Sequence, residues 1–137
     1  MKSLVDRTQT LEEIEKESWV EPQLDSRLAR ECHRLRKVPV NKLSTENLRL
    51  LIGQKISLNI LVPLALEILE LNPLAEGKMY RGDLLVSVAR VPQEFWEEHP
   101  ELNDHLVEIK TEVEILARTL VDELLPSLSS FQYREAN

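Results

Sequence analysis

Residues 56–71 constrain the fold more than any other part of this chain. They are apolar on nearly every side of a helix, and the polar residues among them are few: Ser57, Asn59, Glu67 and Glu70. A helix of this kind has no face to present to water, so other elements must surround it. We therefore predict a helix at the centre of a helical bundle. Pro63 fits the first turn of this helix or else kinks it, because proline lacks a backbone donor.

Start signals before this segment predict three more helices. Thr10 and Glu13 have the spacing of a capping box, which begins a short acidic helix. Apolar residues at three- and four-residue spacing indicate a second helix over about residues 26–37, with arginines on its outer face. Ser44 is suited to cap a third helix that runs to about Gln54.

Two shorter helices are predicted after the central one. Asp83 is placed to cap a helix of mostly aliphatic residues. Pro92 suits the first position of a short helix, whose Phe95 and Trp96 are expected to turn inward.

The longest predicted helix begins at Pro100 and runs to about Leu125, where Pro126 halts it. At 1.5 Å per residue it is about 38 Å long. Its apolar residues follow helical spacing: Leu102, Leu106, Ile109, Val113, Leu116, Leu120 and Leu124. The opposite side carries an acidic stripe: Glu101, Asp104, Glu108 and Glu112.

No segment alternates apolar and polar residues over the length of a strand, so we predict an all-α fold. The 137 residues suit a single domain. We expect one helical bundle of about six or seven helices over residues 1–126, with a long C-terminal helix. Residues 127–137 are expected to form a flexible tail.

The sequence offers no signal for export or for a membrane. Its first residues are mixed and charged, and its longest apolar run, residues 60–66, is far too short to span a bilayer. The lone Cys32 has no cysteine partner within the chain. We therefore expect a cytoplasmic protein that does not bind a membrane.

The formal net charge of -7 is unevenly distributed. Residues 27–42 contain six basic residues against one acidic residue, whereas residues 94–123 contain ten acidic residues against two basic ones. An acidic surface accelerates encounter with a basic partner, although such charges often only solvate a helix face. Direct binding of nucleic acid is disfavoured, because the basic segment is short and lacks interleaved aromatic residues.

Catalytic and metal-binding patterns are weak. Glu101, His105 and Glu108 share a helix face, but no matching ligand motif occurs elsewhere, so we expect a solvated face and no metal. Adjacent helical residues point about 100° apart, so Cys32 and His33 cannot form a nucleophile–base pair. We expect a buried thiol beside a partly exposed imidazole. The sequence predicts neither an enzyme nor a cofactor.

Seven short motifs occur along the chain in a characteristic order. They are Trp19-x-x-Pro22, His33-x-Leu35-Arg36, the string LRLLIGQ over 48–54, the string LVPLALE over 61–67, Asn72-Pro73, Tyr80-x-Gly82-Asp83-Leu84-Leu85 and Pro92-x-x-Phe95-Trp96. Over roughly residues 10–105 they resemble a family of contact-dependent growth inhibition (CDI) immunity proteins. Lys78, Met79 and Arg81 depart from the pattern of that family.

The resemblance implies a protein in the cytoplasm of the toxin-producing cell. Such a protein binds the cytotoxic C-terminal domain of a cognate delivered toxin and neutralises it by occlusion, without catalysis. Many toxins of this class are nucleases with basic clefts, which an acidic protein can block by mimicking phosphate charge. Four residues of the motifs are expected to serve the fold and not to contact the toxin: Pro63, Leu84, Phe95 and Trp96.

Two candidate toxin-binding surfaces follow from these considerations. The first, which we call the acidic face, comprises Glu94, Glu97, Glu98, Glu101, Asp104, Glu108 and Glu112. The second, the connector tip, comprises Lys78, Met79, Tyr80 and Arg81, where the departures from the pattern suit discrimination between toxins.

An alternative is an all-α regulator or adaptor that binds another protein and has no relation to toxins. A neighbouring gene for a very large secreted toxin would distinguish immunity from this role. A third class, a small helical enzyme, would need an inward-facing polar cluster, for which the sequence offers only the His105 set. The oligomeric state is open, because a surplus apolar face can drive dimerisation.

Overall fold

The computed structural model describes residues 5–20 and 26–135. Their helices are α1 (Leu11–Glu15), α2 (Arg27–Leu35), α3 (Thr45–Gly53), α4 (Leu58–Leu71), α5 (Asp83–Ala89), α6 (Gln93–Glu98) and α7 (Pro100–Thr119). A π-helical turn (Leu120–Leu124) and α8 (Leu125–Leu128) extend α7 into one C-terminal helix over 100–128. The chain is 65% helical and has no strand in the described ranges. The all-α prediction, with seven helices and a long C-terminal one, is confirmed.

The predicted start signals of α1 and α3 are confirmed. Thr10 and Ser44 each accept the backbone N–H three residues on, and Glu13 and Asn47 complete the two capping boxes. The prediction for α5 is wrong, because Asp83 makes no capping hydrogen bond to that helix. Gly82 precedes the helix instead, with a φ of 94° that favours glycine. The carboxylate of Asp83 is directed toward the preceding loop.

Helix α4 lies at the centre of the bundle, as its composition predicts. It packs against α3, α5 and α7. Its fully buried side chains are Leu61, Val62, Ala65, Leu66 and Leu69. Burying each Leu or Val side chain of such a core stabilises the fold by about 1.5–3 kcal/mol. Pro63 lies in the second turn of α4, not in the first, and the helix continues through it.

A buried arginine joins the N-terminal helices to the bundle. Arg36 is only 1% exposed, although its charge predicts an outer position on the second helix. Its guanidinium donates to the Glu15 carboxylate and to the backbone carbonyl of Glu17, and it lies 4.3 Å from the centre of the Trp19 ring. His33 is also buried, so the prediction of a partly exposed imidazole is wrong.

The C-terminal helix is covered along only its first part. Leu102, Leu106 and Ile109 pack against the core, but every residue from 117 to 135 is exposed. The prediction that Pro126 halts the helix is wrong, because α8 continues through it. The π-helical turn before the proline, in which Leu125 N–H donates to the Leu120 carbonyl, accommodates it. In the described ranges, no helix has both the length and the hydropathy needed to cross a membrane.

Candidate functional site

The connector between α4 and α5, residues 72–82, is organised by one buried carboxylate. Asp83 is 3% exposed, and its oxygens accept the backbone N–H groups of Gly77, Met79 and Tyr80 at 2.7, 2.9 and 3.3 Å. Burial alone would raise the pKa of Asp83, but these N–H donors and nearby Arg49 outweigh burial and lower it. The carboxylate is therefore ionised at neutral pH and holds the loop closed around itself.

Helix α3 supports the connector from its other side. Glu46 accepts the backbone N–H of Lys78 at 2.9 Å, while Arg49 donates to both Glu46 oxygens at 2.6 Å. The Arg49 hydrogen bonds are the main reason that the pKa of Glu46 lies below its usual value. The Arg49 Nε also lies 3.8 Å from an Asp83 oxygen. Glu46, Arg49 and Asp83 thus form a charged network that fixes the loop backbone.

Glycine is required where this network is tightest. A Cβ atom on Gly77 would lie 2.5 Å from an Oε1 of Glu46 and 3.0 Å from an Oδ2 of Asp83. No side chain fits there unless both carboxylates move. The sequence shows the glycine, but only the tertiary contact with α3 explains it.

The connector tip presents its side chains to solvent from this fixed backbone. Met79 and Tyr80 are 67% and 51% exposed, and Lys78 and Arg81 are exposed as well. Backbone pairing of Glu76 with Arg81 closes the base of the tip. Two large side chains that are exposed on a rigid loop form a preorganised contact, because little freedom remains to be lost on binding.

The acidic face also lies on a supported scaffold. Its first three carboxylates lie on α6 and the other four on α7. Phe95 of α6 is buried, and its ring packs edge-on against Trp96 and stacks on His99 at 4.2 Å. Trp96 donates its indole N–H to the Val91 carbonyl at 3.1 Å. On α7, Ile109 anchors the helix in the core.

The seven carboxylates of the acidic face are all exposed. None of them forms a salt bridge or a side-chain hydrogen bond with another residue of the described ranges. Three arginines in or next to α2 and α3 form salt bridges within the chain: Arg34 pairs with Glu31, Arg36 with Glu15 and Arg49 with Glu46. The acidic charge of α6 and α7 is therefore not neutralised within the described structure.

A cleft extends the acidic face toward α4. It has a volume of about 240 Å³, and Glu108 and Glu112 line it together with Glu70 and His105. Its apolar lining is formed by Leu69, Leu71, Pro73 and Ile109. His105 Nε2 lies 3.9 Å from a carboxylate oxygen of Glu70. The sequence does not indicate Glu70 as a candidate toxin-binding residue, because Glu70 comes close to α7 only through the packing of α4.

The two candidate surfaces lie on different parts of the bundle. The connector tip is held by α3 and α5, whereas the helix that carries most of the acidic face packs against α4 and α6. No residue contacts both surfaces among the described hydrogen bonds and salt bridges. The described ranges also contain no group of three or more His, Cys, Asp or Glu residues arranged to hold a metal ion.

The fold and these surfaces define an all-α domain with a rigid exposed loop and an unneutralised acidic face. Comparison with known families identifies the class of protein to which this domain belongs. The family of CDI immunity proteins matches residues 13–106, more than two thirds of the chain. This chain belongs to that family, as the sequence motifs predicted, and the family points to toxin neutralisation as its role. No curated protein and no solved structure matched the chain.

Proposed function

We propose that this protein binds the cytotoxic C-terminal domain of a cognate CDI toxin and neutralises it by occlusion, without catalysis. It would act in the cytoplasm of the cell that produces the toxin. Family membership supports a toxin as the partner. The acidic face supports this mode of binding. Its seven exposed carboxylates have no partner among residues 5–20 and 26–135, so they are available to a basic surface.

A nuclease domain is the kind of toxin that this face fits best. Enzymes that cleave nucleic acid attract it with lysines and arginines along the cleft. A row of carboxylates on α6 and α7 resembles a phosphate backbone in charge, so it competes for the same basic residues. The cleft between Glu70 and Glu112 adds an apolar lining, against which the aliphatic part of a lysine or arginine can pack.

The connector tip is proposed as the second contact, and its contribution differs in kind. Long-range charge accelerates encounter, whereas Met79 and Tyr80 supply apolar area that slows dissociation. The backbone hydrogen bonds to Asp83 and Glu46 hold these side chains in place before binding. Because tip residues can change without altering that backbone network, the tip suits discrimination between related toxins.

Co-expression with the toxin domain of the neighbouring operon gene tests the function itself. We expect rescue of growth and co-purification of the two chains. If the domain stays toxic and does not co-purify, the immunity role for this pair is wrong, and a regulator or adaptor becomes the better explanation. An activity assay with purified components then distinguishes occlusion, which blocks substrate turnover, from binding that leaves turnover intact.

A charge reversal tests the surface. Glu101, Asp104 and Glu108 are changed together to Lys, and we expect toxin affinity to fall by about 100-fold or more, in line with close charge pairs in tight complexes. The matched control reverses Glu114, Asp122 and Glu123, which lie farther along the same C-terminal helix and are also exposed. An equal loss in both variants would mean that net charge, and not the acidic face, governs binding.

A further inference from the structure

The C-terminal helix leaves the domain after Ile109 and carries an apolar stripe that is partly buried at its start and exposed from residue 117 onward. Its members are Val113, Leu116, Leu120, Leu124 and Leu128, with Ala117, Val121 and Leu125 beside them. Val121 is 63% exposed and Leu124 is 47% exposed. The match to the immunity family ends at residue 106, so this distal segment, residues 110–128, lies beyond the matched part.

We propose that the distal segment pairs with the same segment of a second copy, in antiparallel orientation, to form a homodimer. This inference does not depend on the proposed toxin partner. A helix without tertiary contacts is only marginally stable in water, since packing of its apolar side supplies most of its stability. An apolar partner is therefore needed along the stripe, and a second copy is present wherever the chain is made.

The local geometry keeps the stripe straight. Its members are three, four, four and four residues apart, and repeated steps of four drift around an α-helix of 3.6 residues per turn. The π-helical turn at Leu120–Leu124 holds more residues per turn, which offsets this drift at the Leu120-to-Leu124 step. The same turn accommodates Pro126, so the helix reaches Leu128. The irregularity thus extends one continuous apolar side.

The stripe is complementary to itself when two copies run in opposite directions. With Leu120 near the two-fold axis, Leu116 of one copy lies opposite Leu124 of the other, and Val113 lies opposite Leu128. The stripe contains no charged residue. Glu114, Arg118 and Asp122 recur at four-residue spacing on the other side of the helix, and Glu112 and Glu123 lie beside the stripe.

Electrostatics favour the antiparallel arrangement over a parallel one. Each copy carries a formal charge of -7. Antiparallel pairing puts the two domains at opposite ends of a segment that is about 28 Å long, well beyond the Debye length of about 8 Å at physiological salt. Parallel pairing would bring the two acidic faces to the same end.

The area involved predicts a dimer of moderate strength. A fully buried Leu or Val side chain withdraws on the order of 100 Å² from water. The stripe and its neighbours are roughly half exposed, so pairing two copies buries on the order of 1,000 Å² in all, near the lower limit for a specific interface. We expect a dissociation constant on the order of micromolar, with exchange between monomer and dimer.

Sedimentation velocity over a concentration series tests the dimer. The full chain should change from monomer to dimer across the micromolar range, whereas a variant with Leu120→Glu and Leu124→Glu should remain monomeric, with dimerisation weakened at least about 100-fold. Ile115→Glu is the matched control, because Ile115 is 48% exposed on the same helix but lies off the stripe. A monomeric wild type over this range would overturn the proposal, as would dimerisation unaffected by the double change.

Disulfide trapping tests the orientation. In both orientations, position 120 of one copy lies next to position 120 of the other. The Leu120→Cys variant should therefore form a disulfide-linked dimer. Leu128→Cys alone should not link in the antiparallel dimer, but it should link to Val113→Cys when the two variants are mixed. Native Cys32 is buried, and the wild type under the same oxidant controls for it. Efficient self-linking of Leu128→Cys would overturn the antiparallel arrangement.

Discussion

The carboxylate of Asp83 accepts the backbone N–H of Met79 at 2.9 Å while the Met79 side chain remains 67% exposed. A buried, ionised group thus fixes the backbone of a residue whose side chain faces solvent. This separates two demands on the connector: the inner residues determine its shape, and the outer residues are free to contact a partner.

Asp83→Asn should destabilise the fold. Asn keeps one acceptor oxygen but loses the charge that three N–H groups and Arg49 stabilise. We expect the free energy of unfolding to fall by about 1–3 kcal/mol, as for other buried polar groups that lose a partner. Urea unfolding followed by circular dichroism measures it. Asp104→Asn is the control: Asp104 is exposed, and its change should cost less than about 0.5 kcal/mol.

The contribution of Asp83 should also depend on pH. Desolvation raises the pKa of Asp83, but the N–H groups of Gly77, Met79 and Tyr80 and the charge of Arg49 lower it by more, so it is lower in the folded chain than in the unfolded one. A depressed pKa stabilises the fold above the unfolded value of about 3.9, and this stability is lost as the pH falls through the folded pKa.

Unfolding of the wild type and of Asp83→Asn at several pH values tests this dependence. The difference in unfolding free energy between the two chains should be constant from pH 7 to about pH 5 and should shrink below about pH 4. A difference that stayed constant into strong acid would contradict an ionised Asp83.

Replacing Gly77 and Gly53 by alanine should change the free energy of unfolding in opposite directions. Gly77→Ala places a Cβ atom 2.5 Å from Glu46 and 3.0 Å from Asp83, so we expect a loss of about 1–3 kcal/mol from overpacking. Gly53→Ala lies in α3, where the nearest atom, Ser87 Oγ, is 4.0 Å away. Alanine is the better helix former, but Gly53 is the last residue of α3, so a gain of at most about 0.5 kcal/mol is expected there. Thermal unfolding of both variants checks the pair, and a similar response at both positions would refute the steric argument.

Arg36→Ala should be among the most damaging single changes in the chain. It leaves Glu15 without its salt-bridge partner, removes a donor from the Glu17 carbonyl and exposes the ring of Trp19. Glu15 is partly exposed and can be hydrated, so we expect a loss of about 2–4 kcal/mol, from truncating a fully buried side chain and losing its hydrogen bonds. Arg34→Ala, which breaks an exposed pair with Glu31, should change the free energy of unfolding far less. Chemical denaturation of both variants measures the contrast, and equal losses would contradict the buried role of Arg36.

The sequence predicted those features of the fold that depend on residues close together in the chain. The apolar character of residues 56–71 identified the central helix, and the capping box at Thr10 and the cap residue Ser44 marked true helix starts. These signals lie within a few residues of the elements that they specify, so no knowledge of the rest of the fold is needed. The acidic charge on α6 and α7 and the exposed connector tip were likewise visible in the chain itself.

What the sequence could not predict depends on residues far apart. Asp83 was interpreted as a helix cap, yet its use in the connector depends on Glu46 and Arg49 of α3. Arg36 was assigned to an outer face, but its burial needs Glu15 and Trp19 from before α2. The spacing of apolar residues along the C-terminal helix was correct, but spacing alone does not reveal that the bundle ends at Ile109. Whether residues 127–137 form a flexible tail in solution stays a prediction.

The two candidate toxin contacts should differ in the rate constant that they control. Met79→Ala with Tyr80→Ala removes apolar area from a preorganised tip, so dissociation should become faster by about 10- to 100-fold while association changes little. Reversal of Glu101, Asp104 and Glu108 should slow association at low salt and reduce its dependence on salt.

Stopped-flow association and surface plasmon resonance dissociation, each at low and physiological salt, separate these effects. Circular dichroism and thermal unfolding of each variant confirm that the fold is intact, since all five side chains are exposed. If the tip variant altered association, or the acidic variant altered only dissociation, the assignment of steering to the acidic face and of retention to the tip would be wrong. If neither variant changed either rate constant, the toxin must contact a different surface of the bundle.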